Sequence, residues 1–351
     1  MSSALPRTAT VLDSSAPILS ERYIETLLGD VYGVHGTITP LTSERDRNYH
    51  VHARDGRHFL LKVTNSAEPE EITRFQTDAL LQIEKADPSL PVPRVIPTLS
   101  GQSLHRAALP DQDACVARLL TFLQGEQLYK TERTPTQRRN IGTCLARLDK
   151  ALLNAAPPSI AHVLQWDASN APALRGMMEA IEDQLQHARI AQVLEAFESR
   201  VAPILPQLRR QVIHNDFNPH NILVAPDDHA RVTGILDFGD LVHTPLVVDL
   251  ATACAYQVLP GPAPLHSVGE FVAAYHAVIP LEPAELSILL DLIRARLITT
   301  IVITNWRARR YPANRTYILR NTGPSWLAFD QLQHVGPAEA EDYFLSICNP
   351  R

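Results

Sequence analysis

The sequence predicts an α+β fold in two unequal lobes, a small sheet-rich one followed by a larger helical one. Three observations point there. Up to residue 122, short runs of alternating apolar and polar residues are separated by turns such as Asp55-Gly56, the pattern of antiparallel strands. Beyond it, apolar residues recur at helical spacing, as in Ile141, Leu145, Leu148 and Leu152. One apolar hairpin, 222–224 with 232–236 about the turn Pro226-Asp227-Asp228, interrupts the helices. The 351 residues, 45% hydrophobic and 20% charged, can build a large core and suit two lobes better than one. The lobes are expected at 20–122 and 123–351, after a loose tail at 1–19. That tail has no basic stretch followed by an apolar one and does not read as a signal peptide.

In chain order, Ser20 caps a helix at 21–31 with Ile24, Leu27, Leu28 and Val31 on one face. A strand at 37–41 leads into the polar loop Thr42-Ser43-Glu44-Arg45-Asp46-Arg47-Asn48. The chain returns through Tyr49, Val51 and Ala53, turns at Asp55-Gly56 and gives a strand at 59–63. A helix at 70–85 turns Ile72, Phe75, Ala79, Leu80 and Ile83 inward. Leu90-Pro91-Val92-Pro93 stiffens the entry to a strand at 94–97. A last strand, 114–122, runs into Leu123-Gln124-Gly125. Helices follow at 136–154, 171–187 and 191–208, then the hairpin, then a helix from Pro245, then helices at 265–278, 283–310 and 314–334.

Some classes are set aside by composition. A net charge of −6 gives no general basic field for nucleic acid. The longest apolar stretch, 286–304, contains Asp291, Arg294 and Arg296, which suits a buried helix and not a membrane span. Cys115, Cys144, Cys254 and Cys348 are widely spaced with no C-x-x-C. They read as buried reduced thiols of a cytoplasmic protein.

The chemistry gathers around the hairpin. Before it stands V-I-H-N-D-F-N-P-H-N, and after its second strand I-L-D-F-G-D. Strand ends hold side chains on rigid supports, so Asp216, Asn221 and Asp237 would meet. Phosphoryl transfer needs such a set: a carboxylate to orient a hydroxyl and take its proton, and a carboxylate with an amide oxygen to hold Mg²⁺ against nucleotide phosphates. An isolated Asp usually caps a helix or turn, but two such motifs in this order are poorly explained by chance.

H-x-D-x-x-x-x-N followed by I-L-D-F-G-D, with the later Asp249-Leu250-Ala251, resembles the aminoglycoside phosphotransferase and choline kinase superfamily. It is most similar there to hydroxylysine kinase-like small-molecule kinases. The resemblance runs from about 41 to 332. It implies a two-lobed protein-kinase-like fold with ATP or GTP and Mg²⁺ in the cleft, and a small hydroxylated amine or amino acid as acceptor. It implies no nucleic acid or membrane partner. Asp216 would be the catalytic base, with His214 and Asp249 bracing its loop; Asn221 and Asp237 would hold metal. His220 is assigned no chemistry.

The nucleotide would meet Lys62, an ammonium in an apolar strand, and Ser43, Arg45 and Asn48 of the polar loop, which can also be read as a solvated turn. Backbone groups at 121–123, chiefly Thr121 and Leu123, would meet the purine. Kinases pair the strand lysine with a helix Glu; here Gln76 occupies that position, and Glu71 is the alternative. Asp167 would face a substrate amine or cap a helix. Arg307, in the cation- and aromatic-rich stretch 305–314, would read a carboxylate or complement a helix C-terminus. Two other readings are an antibiotic kinase acting on aminoglycosides and a non-catalytic nucleotide-binding module. The basic 305–314 stretch speaks against the first, and the intact Asp216, Asn221 and Asp237 against the second.

Overall fold

The computed structural model describes residues 16–43, 46–109 and 113–349. Alternation in the first lobe becomes a six-stranded antiparallel sheet. Its strands are β1 (Gly36–Leu41), β2 (Arg47–Ala53), β3 (His58–Val63), β4 (Val95–Ile96), β5 (His105–Ala107) and β6 (Cys115–Thr121). The order is β1-β2-β3-β6-β4, with β5 also on β6. On β3 the residues Phe59, Leu61 and Val63 are buried and the intervening ones half-buried, so period-2 patterning sends Lys62 to the face opposite the sheet core. That core joins Tyr49, Val51, Leu61 and Leu119 to Ile24, Leu27 and Leu28 from the N-terminal helix α1 (Glu21–Thr26) and the turn after it. Sequence reading did not anticipate β5, which has only three residues.

Helix α2 (Glu70–Ala86) crosses behind the sheet and belongs to the larger core. Its Phe75, Ala79, Leu80 and Ile83 share one apolar cluster with α3 (Pro135–Leu152). A continuous seam therefore links the sheet to the helical lobe.

The next segment departs from the expected helices at 171–187 and 191–208. A 3-10 stretch runs Ala168–Ala180, and helix α4 is Gln184–Ala196. Pro172 inside the first stretch lacks the N–H an α-helix needs. Asp183 accepts the Gln186 N–H at 2.8 Å and so begins a new helix thirteen residues after the expected start of the first.

Strands β7 (Glu126–Gln127), β9 (Ile222–Ala225) and β10 (Asp228–Ile235) form a small sheet in the order β10-β9-β7. A separate ladder joins β8 (Arg210–Ile213) to β11 (Val242–Pro245). Here the structure corrects the expectation that Pro245 opens a helix: Pro245 ends a strand, and α5 is Val247–Ala255. The remaining helices are α6 (His266–His276), α7 (Pro283–Arg310), α8 (Thr322–Leu332) and α9 (Pro337–Cys348). The expected helix at 314–334 is broken: the single turn Arg315–Ile318 and a 3-10 turn Leu319–Asn321 precede α8. No helix had been anticipated at α9.

Helix α7 has 28 residues and is buried on most sides, as suits a core helix. Pro283 opens it and Glu285 closes a capping box with Glu282. The fully buried Glu285 also takes both arms of Arg209 at 2.8 Å, which fixes α7 to the start of β8. Among the described residues no helix is long and apolar enough to cross a membrane. All four cysteines are free and buried.

Close approach of α3 to α6 requires glycine at 142, because a Cβ there would lie 2.6 Å from the Phe271 carbonyl oxygen. Gly142→Ala adds helix propensity but forces these backbones apart. A net loss of about 1–2 kcal/mol is expected, read as a lower urea midpoint with an unchanged m-value.

Candidate active site

After β8 the chain must turn sharply to bring Asp216 into the cleft. Asn215 takes a left-handed conformation, φ 62°, which Asn tolerates better than most residues. The buried Asp249 carboxylate on α5 accepts the His214 N–H at 2.9 Å and the Asn215 N–H at 2.8 Å. Beneath it lies the fully buried Asp149, whose carboxyl is pushed well above the usual carboxylate range by burial and by the charge of Asp249. Tyr275 donates to it at 2.6 Å.

His214 joins the two motifs. Its Nδ1 accepts the Asp216 N–H at 3.3 Å, so Nε2 carries the proton and donates to the Leu236 carbonyl at 3.0 Å. Leu236 N–H in turn donates to Asn221 O at 2.7 Å. Asp216 and Asp237 thus sit on loops braced through one imidazole and one backbone bond. Asp237 is itself left-handed, φ 59°, and its Oδ1 accepts the Gly239 N–H at 3.2 Å.

The Asp216 carboxylate is held from three sides. Asn218 Nδ2 donates to Oδ1 at 2.9 Å, Arg296 Nη2 to Oδ1 at 3.1 Å, and Asn221 Nδ2 to Oδ2 at 2.7 Å. Arg296 comes from the middle of α7 and is 2% exposed. It also donates to Trp166 O at 2.7 Å. Burial and the neighbouring Asp240 charge push the Asp216 carboxyl up to about 7, and Arg296 works against them. A carboxyl so placed can accept a proton from a hydroxyl near neutral pH.

Asn221 Nδ2 also donates to Asp216 O at 3.0 Å. With the amide nitrogen committed to Asp216, the amide oxygen is the atom for a cation. Together with the Asp237 carboxylate it makes a hard-oxygen donor pair, which fits Mg²⁺. Among the described residues no three His, Cys, Asp or Glu side chains form a metal cage.

On the sheet side, Lys62, Ser43, Asn48 and Gln76 all line the same cleft as Asp216 and Asp237. Arg45 lies outside the described residues. Neither expected partner reaches Lys62. Gln76 accepts from Arg118 Nη2 at 2.7 Å and donates to Gly239 O at 3.2 Å. Glu71 accepts the Ser159 N–H at 2.6 Å and the Ile160 N–H at 3.2 Å. Lys62 instead meets Asp46 at 3.1 Å. At the strand exit, the N–H groups of Thr121 and Phe122 are taken by Arg94 O and His58 O at 2.9 and 3.0 Å. Neither Thr121 nor Leu123 is among the residues that line the cleft of Asp216.

Asp167 does not line the cleft. It accepts the Ser169 N–H at 2.8 Å and caps the 3-10 stretch, so the capping alternative describes its position. Arg307 does line the cleft, with Thr300 and Thr304 of the same helix and with Arg320 and Asn321 beyond it. Arg320 stacks 4.0 Å from the Tyr317 ring. His220, assigned no chemistry, packs on Tyr129 and pairs with Asn321 at 3.2 Å. Sequence reading missed the roles of Asp46, Arg118 and Arg296. The available signal for Arg296 was a guanidinium inside the longest apolar stretch, which in a soluble core needs an anion.

The sequence profile of the phosphotransferase enzyme family matches residues 37–288. The chain belongs to the phosphotransferase enzyme family. Like other members, this phosphotransferase is a small-molecule kinase. It is 29% identical to hydroxylysine kinase of Danio rerio over 343 residues, covering 93% of this chain and 95% of the relative. It is 26% identical to hydroxylysine kinase of Mus musculus, covering 94% and 93%. Solved structures share the fold of this phosphotransferase. A microcompartment-associated aminopropanol kinase superposes with a TM-score of 0.63 at 17% identity, over 94% of this chain and 95% of the other. The amicoumacin kinase hAmiN, solved with AMP-PNP, Ca²⁺ and Ami, gives 0.62 at 13% identity, over 90% and 98%.

Two outcomes are expected at this site. Asp216→Asn removes the proton acceptor and lowers kcat by about 10²–10⁴-fold while nucleotide affinity stays near that of the wild type, measured by direct nucleotide titration; near-normal turnover would remove Asp216 from the chemistry. Arg296→Met leaves burial and Asp240 opposed at Asp216 only by the weaker Asn218 hydrogen bond. The base works ionised, so the acidic limb of the kcat/KM profile moves to higher pH, and kcat falls by up to about a hundredfold as the carboxylate loses its fixed pose.

Proposed function

We propose that this phosphotransferase moves the γ-phosphoryl group of ATP or GTP, with Mg²⁺, to the hydroxyl of a small hydroxylated amino acid. The first acceptor to try is 5-hydroxylysine. The observation that carries the reading is that one cleft is lined both by carboxylates around Asp216 and, farther along α7 and beyond it, by arginines. The carboxylates are those of Asp216, Asp237 and Asp240, and the arginines are Arg307 and Arg320. In 5-hydroxylysine the reacting hydroxyl neighbours the side-chain ammonium, and the carboxylate lies at the far end of the molecule.

Helix α7 provides the rail between these groups. Arg296, Thr300, Thr304 and Arg307 recur at the spacing of one helix face and all line the cleft. Arg296 and Arg307 stand roughly 16 Å apart along the axis at 1.5 Å per residue. Arg307 is the next cation on this face beyond Arg296, and it is assigned to the acceptor carboxylate. An aminoglycoside carries several ammonium groups and no carboxylate, and these arginines would repel it. The names of the curated relatives support the same acceptor class.

In the proposed reaction, the acceptor hydroxyl donates its hydrogen bond to Asp216, which takes the proton as the oxygen attacks the γ-phosphorus, the bond to the β–γ bridging oxygen breaks and the nucleoside diphosphate leaves. Arg296 and Asn218 keep Asp216 aimed. Lys62 draws the phosphates into line from the sheet side. Asn221 and Asp237 would hold Mg²⁺, which would offset the charge of the phosphates. The lobes 20–122 and 123–351 would close on the nucleotide between them, in a protein acting in the cytoplasm.

Arg307→Ala tests the acceptor assignment. It is expected to raise KM for 5-hydroxylysine and to change nucleotide KM little. Losing one charge-assisted hydrogen bond costs about 1.5–3 kcal/mol, or roughly ten- to a hundredfold in kcat/KM. The wild type should discriminate against the decarboxylated analogue, and the variant should not. Equal discrimination by both proteins would place the carboxylate elsewhere.

A further inference from the structure

The phosphate-binding lysine of kinase-like folds needs an anion to hold it, and here that anion has moved. Neither expected side chain of helix α2 serves: Gln76 is bonded to Arg118 and Gly239 O, and Glu71 is bonded to Ser159 and Ile160. The need is sharper than in a simple lysine–glutamate pair. Lys62 on β3 lies directly opposite Arg118 on β6 in the ladder, and like charges so placed destabilise a sheet. Arg118 is 2% exposed and turns toward Thr77 and Gln76, with donor distances of 3.1 and 2.7 Å. Lys62, on the same face, meets Asp46.

Asp46 is built in to receive it. Its Oδ1 accepts the Asn65 N–H at 3.1 Å, just past the end of β3, and its Oδ2 meets Lys62 Nζ at 3.1 Å. Ser43 Oγ donates to the Asp46 carbonyl. Both charged side chains are less than one-fifth exposed, so each would be costly to leave without its partner.

We infer that Asp46, a residue of the loop over the phosphates and not of helix α2, is the positioning residue for Lys62. Asp46 and the lysine then form one unit, set by the register of β2 and β3. The helix side chain in the lysine-partner position serves a different joint, from Arg118 through Gln76 to the backbone beside Asp237. This inference rests on reading the cleft as the nucleotide site.

The test is nucleotide titration and steady-state kinetics on the full chain, with Asp46→Asn, Asp46→Glu, Lys62→Met, Glu71→Gln and the Asp46→Asn/Lys62→Met pair. Asp46→Asn is expected to weaken nucleotide binding by about ten- to a hundredfold and leave acceptor KM within about twofold. Asp46→Glu should recover most of the loss, and Glu71→Gln should show none. In the Lys62→Met background Asp46→Asn should cost nothing further. Additive losses would show that Asp46 acts apart from Lys62, and tighter nucleotide binding by Asp46→Asn would show that it competes with phosphate; either overturns the inference. Should Asp46→Asn melt too low to assay, Asp46→Glu and the Lys62→Met background decide it: a Glu variant as weak as Lys62→Met excludes the positioning role. A wild type that binds no nucleotide would overturn the nucleotide-site reading itself; wild-type and Asp46→Asn binding that are equal would overturn only the role of Asp46.

Discussion

One buried carboxylate sets the geometry of the cleft. Asp249 takes the backbone N–H groups of His214 and Asn215, and without that acceptor two buried amides would be left unpaired, at about 1–3 kcal/mol each. The same bonds hold Asn215 in its left-handed turn, and that turn delivers Asp216 to the cleft. His214, fixed in one tautomer by Asp216 N–H and Leu236 O, carries the constraint across to the loop of Asp237. Asp149 and Tyr275 below Asp249 tie the arrangement to α3 and α6, so the loop of Asp216 is anchored in the large core and not in the sheet.

Much of this was legible in the sequence where the cause is local. Strands β1 to β3 follow from alternation and the Asp55-Gly56 turn. The limits of α7 follow from Pro283 at one end and the Arg307 to Arg310 cations at the other. The grouping of Asp216, Asn221 and Asp237 follows from a hairpin whose strand ends must lie close. Local signals also explain some departures once the structure is seen: Pro172 and the Asp167 cap favour a 3-10 path, and Asp183 restarts the helix.

What was not legible depends on long-range pairing. Nothing near Lys62 in sequence says that its anion will come from the preceding loop, because that follows from β2 and β3 registering so that Asn48 opposes Lys62. Arg118 and Gln76 meet only because β6 lies beside β3 and α2 crosses behind it. Arg296 reads as a flaw in an apolar helix until β8 and α7 pack and place Asp216 beside it. In each case the sequence shows a charge in an apolar setting, which demands a partner without naming one.

The central claim is that one cleft, lined by carboxylates around Asp216 and by arginines farther along α7 and beyond it, selects a hydroxylated amino acid as phosphoryl acceptor. It is tested most directly by offering the enzyme 5-hydroxylysine, its decarboxylated analogue and an aminoglycoside in one competition with nucleotide and Mg²⁺, and following the products by phosphorus NMR. The account predicts a phosphate ester on the hydroxyl of 5-hydroxylysine before either competitor is consumed. Phosphorylation of the aminoglycoside in preference to the hydroxy amino acid would contradict it.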